Sequence, residues 1–194
     1  MRRNDSSSMT PPDAPVAPTP RPSRLPPHGG TLIRNVRRLD PSSGSDSIGD
    51  VAFRDGVIVD AAGGDFAEVI DGSGHWLLPG VVDLCARTRE PGATQKGTMR
   101  SETHAALAAG ITAICLPPDT RPVIDSTAMV NRVNRIAKAA AGAYVHMLGA
   151  LTKGLDGEAL AEISALKAAG CVGVSNGLTP MASALVARRA LEYA

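Results

Sequence analysis

Apolar and polar positions alternate, cluster and drift along this chain in three successive textures. Residues 1–30 hold Pro, Ser and Thr with almost no bulky apolar side chain. Such a segment buries too little surface to offset its ordering entropy, so it is expected to be a disordered arm. From Thr31 short apolar runs appear at close intervals, and strands are predicted over 31–36, 51–53, 57–59, 68–71 and 75–78. Arg54-Asp55-Gly56 separates two of these runs, and an Asp-Gly step there predicts a tight hairpin. Residues 31–80 thus read as a small β module.

From Val81 the period changes. Strands over 81–86, 111–116, 143–151 and 171–175 alternate with helical spacing over 96–109, 126–141, 157–169 and 180–194. Gly110 and Gly170 stand where helices should stop before the next strand. Four consecutive βα units predict a parallel sheet, either doubly wound or part of a (β/α)₈ barrel. A whole barrel takes about 250 residues. The 81–194 segment would supply its N-terminal half, leaving strand edges unpaired. The simplest expectation is a truncated copy of a longer protein, and the other is a half completed by a second chain.

Charge narrows the partners. The 194 residues carry 20 Lys and Arg against 19 Asp and Glu, a formal charge of +1. Nucleic acid and anionic membranes favour basic patches, so neither is expected as a partner. No apolar run approaches the ~20 residues of a membrane span. The start lacks the apolar core of a secretory signal, so the cytoplasm is the expected compartment. Cys85, Cys115 and Cys171 are odd in number and widely spaced. They read as small buried hydrophobes in a reducing compartment, with neither zinc-site nor disulfide spacing.

The densest chemistry follows the first barrel strand, in Asp83-Leu84-Cys85-Ala86-Arg87-Thr88-Arg89-Glu90-Pro91-Gly92. If the strand runs on, Asp83, Cys85, Arg87 and Arg89 share a face. The run 78–84 followed by Arg89-Glu90-Pro91-Gly92 resembles the dihydroorotase signature of the cyclic amidohydrolases, a Pro-Gly step leading into DLHVHLREPG. The resemblance continues through Lys96-Gly97-Thr98, Thr120-Arg121-Pro122-Val123-Ile124-Asp125 and Leu151-Thr152-Lys153-Gly154-Leu155, and covers roughly 31–194. It implies an α/β fold: a partial TIM (β/α)₈ barrel of amidohydrolase type, about four βα units, preceded by the small β module. It also implies a family of metal-dependent hydrolases acting on a cyclic amide.

At the metal-ligand positions the sequence departs from that pattern. Cys85 and Arg87 replace the two histidines, and Asn176 stands in a stretch where the family carries an acidic ligand. A guanidinium stays protonated and has no lone pair to offer. Its repulsion of a divalent ion at about 4 Å amounts to roughly 8 kcal/mol at an effective dielectric near 20. No metal, cofactor or catalytic residue is therefore expected on these strands. Arg87 is expected to neutralise an inward carboxylate such as Asp83. Arg89 matches the family arginine that holds the substrate carboxylate, and is the one substrate-binding candidate. A structural ion pair with Glu90 is weighed equally. The family's substrate-contacting asparagine falls near Pro118-Asp119-Thr120, where this chain has no amide. His75, His104 and His146 lack partners of matching spacing, and Gly149–Gly154 lacks the phosphate-loop pattern.

The pattern is closest to the non-catalytic dihydroorotase homologues that associate with aspartate carbamoyltransferase. It implies a subunit supporting that enzyme's assembly, with its catalytic subunit as partner and an oligomeric state. Two alternatives stand beside it: an active metal-dependent dihydroorotase or related amidohydrolase, with zinc held by later strands, and a truncated, non-functional fragment.

Overall fold

Asp55 and Gly56 both adopt positive φ, +52° and +77°, in the computed structural model, which describes residues 29–194. Two successive left-handed residues form the tight turn whose twist matches antiparallel strands. They join β2 (Ser45–Arg54) to β3 (Val57–Val59), with Arg54 opposite Val57. β1 (Thr31–Asp40) pairs antiparallel with β2 and parallel with β4 (Glu68–Asp71) and the short β5 (Trp76–Leu77). β1 and β2 are longer than the apolar pattern predicted. A bulge at Asn35, φ +54°, shifts the register while its N–H donates to Asp50 Oδ1 at 3.0 Å. The polar residues beyond that bulge therefore still pair, although they carry no apolar signal. The arm expected over 1–30 lies, for residues 1–28, outside the described residues.

The chain divides between Leu78 and Pro79 into two units. The second is built on four parallel strands: β6 (Val81–Asp83), β7 (Ile111–Leu116), β8 (Tyr144–Ala150) and β9 (Cys171–Ser175). Their spatial order is their order in sequence. A doubly wound sheet would reverse direction at a switch point, so this sheet is a curled half-barrel.

Helices α1 (Met99–Ala108), α2 (Thr127–Ala140) and α3 (Ile163–Ala168) follow the first three strands, and α4 (Ala184–Tyr193) the fourth. α2 buries Met129, Val130, Val133, Ala137 and Ala140, one stripe at helical spacing. These residues pack with Met99, Leu116, Ile124, Met147, Leu166 and Cys171 into one apolar core. Each such valine or leucine removed from water contributes about 1.5–3 kcal/mol.

Two predicted elements are shorter than expected, for local reasons. The first barrel strand stops at Asp83 because the Asp83 carboxylate accepts the Cys85 N–H at 2.9 Å, turning the chain out of the ladder. The helix expected over 157–169 begins only at Ile163. Residues 156–161 are pinned instead against 151–153: Lys153 N–H donates to Ala159 O at 2.8 Å, and Ala161 N–H to Leu151 O at 3.0 Å. Among the described residues no helix is long and apolar enough to cross a membrane.

Candidate functional site

The loops leaving the C-terminal ends of the four barrel strands are joined in series. Arg121 N–H donates to Pro91 O (3.1 Å), and Ala150 N–H to Ile124 O (2.7 Å). Gly154 N–H donates to Asp125 Oδ2 (3.0 Å), and the Thr152 hydroxyl to Asn176 Oδ1 (2.6 Å). Each loop is thereby held by the next, and the site is fixed by backbone as much as by side chains.

Within the first loop, Arg89 takes φ +64°, a left-handed conformation uncommon for a bulky residue. Its surroundings impose it. Ala93 N–H donates to Arg89 O at 2.7 Å, and the fully buried Thr88 gives its hydroxyl to Glu90 O at 2.8 Å. Glu90 does not pair with Arg89. Its carboxylate accepts the Met99 N–H at 2.7 Å, at the first residue of α1, where a negative charge suits the helix dipole. α1 is closed further by a capping box between Thr98 and Ser101. Gly92, at φ +128°, lies flat against the next loop, and a Cβ there would meet the Arg121 Cβ at 3.0 Å.

Arg87 and Asp119 face one another across the ends of β6 and β7. Arg87 Nε donates to Asp119 Oδ2 at 2.7 Å, with both side chains about a third exposed. The hydrogen bond and charge of Asp119 raise the Arg87 pKa above its ordinary value, so the cation is fixed. This corrects the expectation that Arg87 neutralises Asp83, whose carboxylate is instead spent on the backbone of residue 85. Cys85 is exposed, with its Sγ 3.9 Å from Arg87 Nη1, and so is not the buried hydrophobe its sequence surroundings implied. The turn at Asp83 is what carries it out of the sheet. Cys115 and Cys171 are buried, and desolvation pushes the Cys171 thiol up to about 11.

Asn176 is turned toward its own loop. Besides accepting from Thr152, its amide donates to Thr179 O at 2.9 Å, and Thr152 Oγ1 also accepts the Gly157 N–H at 2.9 Å. The three histidines of interest are local fixtures or strand residues. His104 Nε2 bonds Ala140 O at the end of α2 (3.0 Å), His75 Nδ1 bonds Ser73 O (3.1 Å), and half-buried His146 sits in β8.

A cavity of about 420 Å³ opens beside the Arg87–Asp119 pair. Arg87, Arg89, Lys96, Asp119 and Arg121 supply its charged lining. Arg89 therefore reaches the same space as Arg87, whereas Asn176 does not line it. Sequence reasoning passed over Lys96, Arg121 and the partnership of Asp119. The signal that could have found the last was two changes of opposite charge, at positions 87 and 119.

These residues do not fit a metal. Arg87 has no lone pair to give, Asp119 is taken up by Arg87, and the Asn176 carbonyl already accepts from Thr152. Among the described residues no three His, Cys, Asp or Glu side chains come together as a metal would require.

The fold and this strand-end site define an amidohydrolase-type α/β half-barrel. In solved structures it is similar to the L-hydantoinase (dihydropyrimidinase) of Arthrobacter aurescens, with a TM-score of 0.66 at 20% identity over 84% of this chain and 38% of that one. It is also similar to the N-acyl-D-glutamate deacylase of Bordetella bronchiseptica, with a TM-score of 0.53 at 19% identity, over 84% and 41%. The family model described as dihydro-orotase-like matches residues 74–192. A dihydroorotase-like protein of Pseudomonas aeruginosa is 45% identical over 166 residues, and a dihydroorotase of Anaeromyxobacter sp. is 42% identical over 167. The chain belongs to the dihydroorotase-like family. Each match covers 84% of this chain and 39% of the relative, so the chain spans about two fifths of the length of these curated relatives.

Proposed function

We propose that this chain belongs to a dihydroorotase-like subunit that keeps the amidohydrolase fold without its hydrolytic chemistry. We infer further that it acts in the cytoplasm as an assembly partner of aspartate carbamoyltransferase in pyrimidine biosynthesis. The observation that supports the first part is the Arg87–Asp119 ion pair, 2.7 Å long, whose arginine takes, by resemblance, the place of a family histidine. A cation held by its own carboxylate fills the position with a closed charge pair. A divalent ion there would have to displace the guanidinium and then tolerate it nearby. The partner is inferred from resemblance to non-catalytic homologues that keep Arg89-Glu90-Pro91-Gly92 and lose the histidines.

A second reading is an active amidohydrolase whose metal is held elsewhere. It is favoured by Arg89, which lines the cavity without a carboxylate partner among the described residues, and by relatives named dihydroorotase. Metal analysis and a dihydroorotate hydrolysis assay on the full-length protein separate the two. Metal-free, inactive protein that co-purifies with the catalytic subunit of aspartate carbamoyltransferase supports the scaffold. Stoichiometric zinc with turnover sinks it.

A further inference from the structure

Cys85 and Cys115 stand side by side at the ends of β6 and β7. Ala86 N–H donates to Cys115 O at 3.0 Å, as Val81 N–H does to Gly110 O where Val81 pairs with Ile111. In a parallel ladder such a bond runs from a residue to the one before its partner. Ala86 is thereby set opposite Leu116, and Cys85 opposite Cys115. Neighbouring strands lie about 4.8 Å apart. Disulfides join Cα atoms about 4.4–6.8 Å apart, so the backbone spacing here suits one.

The two thiols differ in access, and the fold makes the difference. Asp83 bends the chain by accepting the Cys85 N–H at 2.9 Å, which exposes Cys85, and the Ala86 bond then returns the chain to β7. Arg87, tied to Asp119 through Nε, donates from Nη1 to the Cys85 sulfur at 3.9 Å and holds it beside the strand end. Cys115 is buried. Desolvation, then the nearby Asp83 and Cys85, push its thiol above the ordinary value, so it stays protonated and the surface thiol reacts first. Cys171 is no rival. Cys115 stands opposite His146 and Cys171 opposite Met147, and these consecutive residues of β8 face opposite sides of the sheet. An exposed thiol with a second thiol at hand is the arrangement of redox-responsive cysteines. Disulfides that form in reducing compartments are of that transient kind.

We propose that Cys85 and Cys115 form a thiol–disulfide exchange site for small disulfides such as oxidised glutathione. The Cys85 thiolate attacks one sulfur of the disulfide, forming a mixed disulfide and releasing one thiol. Cys115 then loses its proton to solvent, and its sulfur attacks the Cys85 sulfur. The Cys85–Cys115 bond closes and the second small thiol leaves. The two cysteines give up two electrons, and the small disulfide is reduced to two thiols. The assignment goes beyond the proposed function, because it needs no metal, no hydrolysis and no partner enzyme.

The test treats the reduced full chain with oxidised glutathione in metal-free buffer without denaturant, and maps disulfides by mass spectrometry of non-reduced digests. Joint loss of the Cys85 and Cys115 thiols, a Cys85–Cys115 peptide link, Cys171 left free and full reversal by dithiothreitol are expected. Cys115→Ser should stop at a stable glutathione adduct on Cys85, and Cys85→Ser should leave Cys115 unmodified. Phenylarsine oxide, which bridges paired thiols, should bind the unsubstituted chain one to one and lose that binding in either variant. The mapping and the arsenical titration of the unsubstituted chain decide the matter even where a variant does not fold. An adduct persisting on Cys85 with Cys115 free, a link to Cys171, a link between two copies, no reaction, or no arsenical binding would each overturn the proposal. None of these outcomes reports on zinc, hydrolysis or aspartate carbamoyltransferase, so this inference and the proposed function fail separately.

Discussion

Arg87 and Asp119 are coupled in a way that single substitutions misreport. Each is about two-thirds buried, so removing either one strands the other in a partly desolvated place. Arg87→Ala and Asp119→Ala are each expected to cost about 1–2 kcal/mol in urea melts, and the double variant less than their sum by about 1 kcal/mol. Additivity within error would show that the pair contributes nothing. The cysteines differ just as sharply. A thiol-modifying reagent should label Cys85 in the native protein and reach Cys115 and Cys171 only on unfolding, because the first is exposed and the others are buried. Burial raises the Cys171 thiol from its ordinary 9.0 to about 11. The unfolded chain then gives up that proton at lower pH than the folded one, so this contribution to stability is intact below pH 9 and declines as pH rises toward 11. The decline is up to about 1.4 kcal/mol per pH unit across that window, and Cys171→Ala should flatten it.

At the scale of elements, the loop after β8 is held by one hydroxyl. Thr152 is fully buried, donates to Asn176 and accepts from Gly157, thereby joining the third barrel loop to the fourth. Thr152→Val should lower stability by about 2 kcal/mol and raise hydrogen exchange over residues 153–161, while Thr152→Ser should leave both near wild type. The same loop shows where sequence pattern stops being informative. The helical spacing over 157–169 was legible, but the competing bonds of 156–161 to 151–153 come from contacts no local pattern reports. The long α2 was legible to within a residue, since its stripe of Met129, Val130, Val133, Ala137 and Ala140 decides its packing. Asp83 read as one more strand residue because alternation counts side chains and ignores a carboxylate turned onto its own backbone. At the site, the thiol and guanidinium at residues 85 and 87 were legible as a departure from the pattern the chain resembles. The charge partner of Arg87 was not, because residues 87 and 119 come together only through the pairing of β6 with β7.

Taken whole, the second unit presents unusual apolar surface at both margins of its sheet. Val81 and Val82 on β6, and Val172 on β9 with Leu185, Leu191 and Tyr193 on α4, are all more than half exposed. Unpaired parallel edges and apolar patches of this kind favour association. The described chain should therefore sediment as a concentration-dependent mixture, and Val172→Lys should shift it toward the monomer. Monodisperse behaviour of the unsubstituted chain would argue against that. The Arg87–Asp119 bond has a last consequence, for ancestry. Changing residue 87 or 119 alone between this mouth and a histidine-bearing one would leave an orphaned charge on one loop or the other. The two positions are therefore expected to change together among relatives, as a single inherited character with two alleles. Among sequences that all keep Arg89-Glu90-Pro91-Gly92, a turn whose glutamate serves helix α1, it is the joint state of 87 and 119 that would sort one descent from the other.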